Sequence, residues 1–452
     1  MELKDDIDFG SMAIPRLFRK LLLPTLLGMV FSAAFVITDG IFVGQGIGSD
    51  ALAAVNITAP LFMINIGIGL MFGVGASVVA SIHLAHGKPR VARINVTQAV
   101  VVSSLFLALL WGTVTLLAPQ VARLLGSSER LLPAAVEYMY WFVPFLVFSA
   151  LLNSGMFFIR LDGSPNYAML CNVIPALINI ALDYLFIFVY GWGMFGAGLA
   201  TSLGYIVGAA MVVAYLADRR HTIRFTRVKL SRKSLRLTVR NVGYMLKLGF
   251  PTFLCEGAIA CMMFTGNYVF IRYLGEDGVA AFSVACYLFP LVFMANNAIG
   301  QSAQPIMSYN FGAGRPDRVR SAVLMALRTA FLSGVLFMTV FLVFPRQIVG
   351  MFMEAGTGPY DIAVDGMPIF SVALLFCAIN IVAMCYFQSM ERALPALLIT
   401  FLRGYLFLIP CFLLLPRVWG VHGIWFAVPA AEMLTCLVVI GMSRSRRSER
   451  RG

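Results

Sequence analysis

Apolar residues fill long runs along almost the whole chain, and short stretches rich in glycine, proline and charge separate them. A helix of about 20 apolar residues crosses the roughly 30 Å hydrocarbon layer of a membrane. The pattern predicts twelve helices, near 14–46, 51–84, 94–121, 131–160, 166–190, 195–217, 243–273, 278–310, 318–345, 359–389, 393–415 and 421–442. Several exceed a single crossing, which predicts tilted helices or ends that project into the cytosol. The fold class expected is therefore an all-α integral membrane protein.

The pattern also repeats. With residues 24–216 written over 251–443, an ungapped offset of 227, Pro24 falls on Pro251 and Gly48 on Gly275. Gly73 meets Gly300, Gly87 meets Gly314, Asn153 meets Asn380, Gly193 meets Gly420 and Ala200 meets Ala427. One offset holding from first helix to last predicts two pseudo-symmetric six-helix lobes. Such repeats place a substrate site between them, opened to either side by rocking.

Composition sharpens this picture. The chain is 60% hydrophobic and 12% charged, with a mean hydropathy of +0.87, against roughly 25% charged residues in soluble domains. The first apolar run is too long for the core of a signal peptide and follows an acidic start at Glu2, Asp5, Asp6 and Asp8. The eight cysteines all lie within apolar runs and form no CxxC pair, so they read as reduced packing residues. Charge sets the orientation. With the N-terminus inside, inner segments hold 27 Lys and Arg, and outer loops hold five: Arg123, Arg130, Arg272, Arg346 and Arg417. The positive-inside rule then puts both termini in the cytosol of a cell-membrane protein. The domains expected are an N-lobe at 1–217, a basic linker at 218–242, a C-lobe at 243–442 and a basic tail at 443–452. The net charge of +13 follows from topology and anionic headgroups, so no nucleic-acid partner is expected.

Ionisable side chains inside the bilayer are costly and mark pathways or pairs. In the first half Asp39 lies in helix 1 and Asp183 in helix 5, with Asn179 one turn before Asp183 on the same face. Asp39, Asp183 and Thr201 of helix 6 each lie about two turns from the outer end of their helix, at 1.5 Å per residue. Two carboxylates, a carboxamide and a hydroxyl thus share one level, without a basic residue there. Such oxygen ligands suit a hard cation such as Na+. Two close carboxylates also suit a proton, since their mutual repulsion favours sharing one.

The second half differs. Glu256, Arg328, Arg403 and Glu432 share a depth nearer the middle and sum to zero charge, which suggests a structural ion network. Glu256 is its candidate functional member, in secondary coupling or substrate binding. Glu137 sits near the outer end of helix 4, beside Tyr138, Tyr140 and Trp141, as an interfacial residue or an outer gate. A pocket for varied apolar cations needs adaptable walls and aromatic faces. Candidates are Met29, Phe35, Phe62, Met63, Phe157, Tyr287, Phe289 and Met294.

Several stretches together carry a resemblance. They are Pro24-Thr25-Leu26-Leu27-Gly28, Thr38-Asp39-Gly40 with Phe42-Val43-Gly44, Gly87-Lys88-Pro89 with its echo Gly312-Ala313-Gly314-Arg315-Pro316, Asn179 to Asp183, and Gly196 to Thr201. In this order and spacing the chain resembles the multidrug and toxic compound extrusion (MATE) family, most like its bacterial MepA-like branch, from Pro15 to about Met442. The resemblance implies a V-shaped pair of six-helix lobes and cation-coupled antiport of drugs. It also implies that Asp39, Asn179, Asp183 and Thr201 form the N-lobe cation site. Some relatives add an acid in helix 10, where this chain has none between Asn380 and Tyr386.

The function expected is export of small, cationic or amphipathic drug-like molecules against Na+ or H+, by a monomer among membrane lipids and with no cofactor. A flippase of lipid-linked precursors would need cationic groups for diphosphate, where the N-lobe offers carboxylates. An intramembrane enzyme would need a catalytic cluster, and DDxxD, HxxxD and HExxH are all missing.

Overall fold

A computed structural model describes residues 7–228 and 231–449. Glu2, Asp5, Asp6, Lys229, Arg450 and Arg451 lie outside the described residues, as do the side chains of Arg444, Arg446 and Arg447. Among the described residues there is no strand. Ten continuous helices are long and apolar enough to cross a membrane. Two of them are broken by a glycine with left-handed backbone, at Gly275 (φ 65°) and Gly420 (φ 56°), so each contains two spans.

Twelve spans result: α1 (Ile14–Gly46), α2 (Ser49–Ala85), α3 (Pro89–Leu116), α4 (Leu132–Leu161), α5 (Pro165–Val189), α6 (Gly193–Ala217), α7 (232–274), α8 (276–312), α9 (Pro316–Val343), α10 (Gly358–Ser389), α11 (393–419) and α12 (421–449). Most begin and end within a few residues of the hydropathy pattern. Two of those that differ do so for local reasons. The third span starts at Pro89 and stops at Leu116, rather than running from 94 to 121. Proline is favoured in a first turn, and Pro119 cannot donate to a continuing ladder. The chain restarts as a short helix, Ala118–Leu124. The seventh span starts at Arg232 instead of 243. Its first turns are polar, so hydropathy cannot see them. The Ser231 hydroxyl accepts the Ser234 N–H at 3.2 Å and caps this end.

The repeat is written into the backbone. Gly87 and Gly314 have φ of 67° and 66°, and Gly193 and Gly420 both have 56°. An L side chain disfavours that region, so the same turn in each half requires the same residue. Packing repeats as well. Gly73 of α2 lies against Ser154 and Phe157 of α4, and at the same offset Gly300 of α8 lies against Ile381 and Cys385 of α10. Membrane helices approach through small residues of this kind.

By their internal contacts the residues form two compact units. Unit 1 is Met1–Phe253 with Ser308–Arg315, and unit 2 is Leu254–Met307 with Pro316–Gly452. In unit 1 the start of α7 packs on α2 and α3. Gln98 Nε2 donates to Thr238 Oγ1 at 2.8 Å, and Asn241 Nδ2 donates to Gln98 Oε1 at 3.3 Å. A Cβ at Gly75 would overlap the Met245 carbonyl, and one at Gly249 that of Met71, so the α2 and α7 backbones touch. The segment after α6 is tied down too. Buried Asp162 accepts from the Tyr215 hydroxyl at 2.9 Å and from the Ile223 N–H at 2.5 Å. Arg93 Nε donates to the Thr222 carbonyl at 2.8 Å. In unit 2 an aromatic core joins α7, α8, α10 and α12: Phe270 stacks on Phe282 at 4.6 Å, and Trp425 stands edge-on to Phe270 at 4.9 Å and to Phe370 at 6.3 Å.

Candidate functional site

Unit 1 brings Asp39 of α1, Asn179 and Asp183 of α5 and Thr201 of α6 into one cluster. The Thr201 hydroxyl lies 3.4 Å from Asp39 Oδ1 and 3.5 Å from Asn179 Nδ2, and donates to the Ala197 carbonyl at 3.0 Å. The Asp39 and Asp183 carboxyl groups face each other within interaction range. Asp183, Asn179 and Thr201 are 0%, 1% and 3% exposed, whereas Asp39 is half-buried and forms the open side of the cluster. α5 changes to a π-helical turn directly after Asp183. Such turns interrupt the regular ladder and recur at functional sites.

Three acceptors are left over. Asn179 Oδ1 and both oxygens of Asp183 are buried and receive no donor of acceptable geometry. Buried polar atoms are normally paired, and each exception calls for a reason. No ion pair reaches Asp39 or Asp183 among the described residues. An oxygen-rich, anionic pocket without its own cation has the donor set that a hard monovalent cation or a proton would satisfy. Among the described residues no group of three or more acidic, histidine or cysteine side chains is arranged to hold a metal ion.

Aromatic groups line this cluster. Phe35 lies one turn before Asp39, and Tyr205 one turn after Thr201, so each shares its neighbour's helix face. The rings of Phe35 and Tyr205 meet edge-on at 6.2 Å, and Phe62 of α2 stacks on Tyr205 at 6.1 Å. Tyr138 of α4 is buried near Thr201 and both carboxyl groups. Sequence reasoning named Phe35 and Phe62 but missed Tyr138 and Tyr205. The four-residue step from Thr201 was the signal for Tyr205. Tyr138 had none, because its place beside Glu137, Tyr140 and Trp141 reads equally as part of an interfacial aromatic belt.

The other wall candidates scatter. Met29 and Met294 are half-buried, Met63 is exposed, and Tyr287 is exposed and stacks on Phe352 at 6.1 Å. Phe157 and Phe289 are corrections. Both are packed inside their units, Phe157 beneath the Arg160 guanidinium at 4.8 Å and Phe289 against Phe370 at 5.9 Å. Glu137 is exposed on α4.

In unit 2 the four-member ion network reduces to a pair. Arg403 Nη2 lies 2.6 Å from Glu432 Oε1, with both side chains buried. The Arg403 guanidinium also donates to the Cys255 and Cys377 thiols at 3.4 and 3.0 Å and lies over the Phe293 ring at 5.9 Å. Asn380 donates to Glu432 Oε2 at 2.7 Å and to its carbonyl at 2.9 Å. Arg403 lies in a π-helical turn of α11, which turns its long side chain inward. Glu256 makes no ion pair among the described residues, and Arg328 is exposed on α9. Equal depth did not bring the four together, because depth fixes height along the helix and not the direction a side chain faces.

Residues 24–185 and 251–413 each match the MatE family, and the two matches start at the offset of the internal repeat. Over 451 residues the chain is 25% identical to the FAD transporter of Shewanella oneidensis, covering 96% of this chain and 95% of that protein. It is 24% identical over 426 residues to the multidrug export protein MepA of Staphylococcus aureus, covering 92% and 91%. Among solved structures, a MOP superfamily transporter from Pyrococcus furiosus, described as having a binding pocket of reverse polarity, superposes with a TM-score of 0.89 at 22% identity over 98% of each chain. A multidrug resistance MATE family transporter in an outward-facing conformation gives 0.85 at 23% identity over 98% of this chain and 97% of that one.

Proposed function

The chain belongs to the MatE family, and from that premise we propose that it is a secondary active antiporter exporting small, cationic or amphipathic molecules in exchange for Na+ or H+. It is a multi-pass membrane transporter of the multidrug-efflux kind and not an enzyme. The observation that carries the coupling proposal is the trio of unpaired acceptors on Asn179 and Asp183, facing Asp39 across the cluster.

The exchanged cation is cargo. Asp39, Asn179, Asp183 and Thr201 would hold it, as Na+ through their oxygens or as a proton shared by the carboxyl groups. A bound cation neutralises charge that is otherwise expensive to bury, so an occupied site holds α1, α5 and α6 together more firmly than the two long Thr201 contacts alone. An antiporter needs such a link, because a cation can shift a conformational balance only by its differential affinity for the two states. Phe35, Phe62 and Tyr205 present ring faces beside the carboxylates, where an organic cation gains both cation–π and charge attraction. Glu256 is a second acid for substrate or ion in the other half.

Orientation follows from the basic segments. Both termini and the residues after α6 face the cytosol of the cell membrane. The working unit is a monomer built of an N-lobe, a basic linker, a C-lobe and a basic tail. A flippase for lipid diphosphates is disfavoured by the anionic character of the unit 1 site.

The test uses proteoliposomes loaded with a fluorescent organic cation, with inward Na+ and H+ gradients imposed separately. One of the two gradients should accelerate efflux several-fold over vesicles without a gradient. Equal efflux in all three conditions would remove the antiport mechanism. FAD as a competing solute tests whether an anionic substrate takes the same route.

A further inference from the structure

One arginine within a membrane span of unit 2 lies on the surface of that unit. Arg328 is exposed on α9 and makes no ion pair among the described residues. It opens into a groove of about 470 Å³ between α9 and α10, whose other walls are Leu324, Leu327, Phe331, Leu332 and Ile379. Leu324, Phe331 and Leu332 are 43%, 50% and 67% exposed, so this face has no protein cover. One formal charge thus stands at the edge of an apolar furrow, on a span read as crossing the membrane.

An arginine facing hydrocarbon is unfavourable unless it reaches an interface or a counter-ion. Geometry supplies the direction. The last basic residue before the apolar part of α9 is Arg320, and eight residues at 1.5 Å each put Arg328 about 12 Å beyond it. Helical side chains lean toward the N-terminus, and the N-terminus of α9 is its cytosolic end. The guanidinium therefore snorkels toward the inner leaflet, the side rich in anionic lipid. The planar guanidinium matches phosphate oxygens two at a time. Below it the groove offers only apolar surface, as an acyl chain requires. The positive charge repels the organic cations proposed as cargo, so this is not a second copy of the transport site.

We propose that the α9–α10 groove is a binding site for one anionic phospholipid of the cytosolic leaflet, its phosphate on Arg328 and one acyl chain along Leu324, Phe331 and Leu332. The inner-leaflet placement rests on the orientation proposed above. Lipid retention by the purified protein is read independently of transport and of orientation, so its failure is separable from failure of that reading.

The experiment is native mass spectrometry of the full chain in detergent with equal phosphatidylglycerol and phosphatidylcholine. The wild type should retain one phosphatidylglycerol in preference, by about five-fold for a single basic side chain at the surface. Arg328→Gln should abolish that preference for one lipid, while Arg328→Lys keeps part of it. Leu332→Trp, which fills the groove and leaves the charge, should also lose the retained lipid. Melting temperatures without added lipid separate a folding defect from a binding defect, and the Trp variant carries the test if Arg328→Gln does not fold. Retention by Arg328→Gln equal to the wild type would overturn the proposal. Retention by Leu332→Trp would overturn the groove as the seat of the acyl chain.

Discussion

Arg403 and Glu432 show what a buried charge demands of its surroundings. The guanidinium reaches one carboxylate and two thiols, and Asn380 caps the carboxylate from the other side. Removing one member leaves the other uncompensated, at about 3–5 kcal/mol for a fully buried pair. Arg403→Ala and Glu432→Ala should each lower thermal stability and yield more than transport per folded molecule. In a double-mutant cycle the two losses should be strongly non-additive; simple addition would show that the pair is not coupled. Glu256→Gln should do the reverse, weakening transport with little loss of stability. At this scale the sequence showed which residues are unusual but not always where they point. The cluster of Asp39, Asn179, Asp183 and Thr201 was legible because four polar groups shared a level in three helices with no base beside them. Arg328 matches Arg403 in depth but not in the face it presents, so depth alone groups the two wrongly.

Elements were legible wherever hydropathy and punctuation agreed. Twelve apolar runs became twelve spans, and two of the glycine pairs aligned by the repeat, Gly87 with Gly314 and Gly193 with Gly420, became turns with matching backbone angles. What hydropathy could not report was helix outside the hydrocarbon. α7 begins with eleven polar or mixed residues, held to α3 by Gln98. The Asp162 knot was equally silent in sequence, since a lone acid at a span end gives no sign of its partners. The basic segments predict a labelling pattern for these ends. In an otherwise cysteine-free chain, Ser234→Cys and Ser448→Cys should react with an impermeant thiol reagent only from the cytosolic side. Reaction from outside at either position would overturn the orientation.

Across the whole molecule the two repeats share a frame and differ in chemistry. At the offset of the repeat Asp39 corresponds to Gly266 and Asp183 to Pro410, so the acidic cluster has no twin in unit 2. Unit 2 instead buries a neutralised pair. A chain with one uncompensated anionic site and one compensated site has an obvious place for an exchanged cation. The most direct test compares cation-driven efflux by wild type, Asp39→Asn and Asp183→Asn in matched proteoliposomes, with insertion and folding checked in the same preparations. Each substitution keeps shape and removes a charge. Both variants should insert and fold normally and lose gradient-driven efflux, falling to the rate of vesicles without a gradient. Wild-type efflux from either variant would contradict the assignment of this cluster as the coupling site.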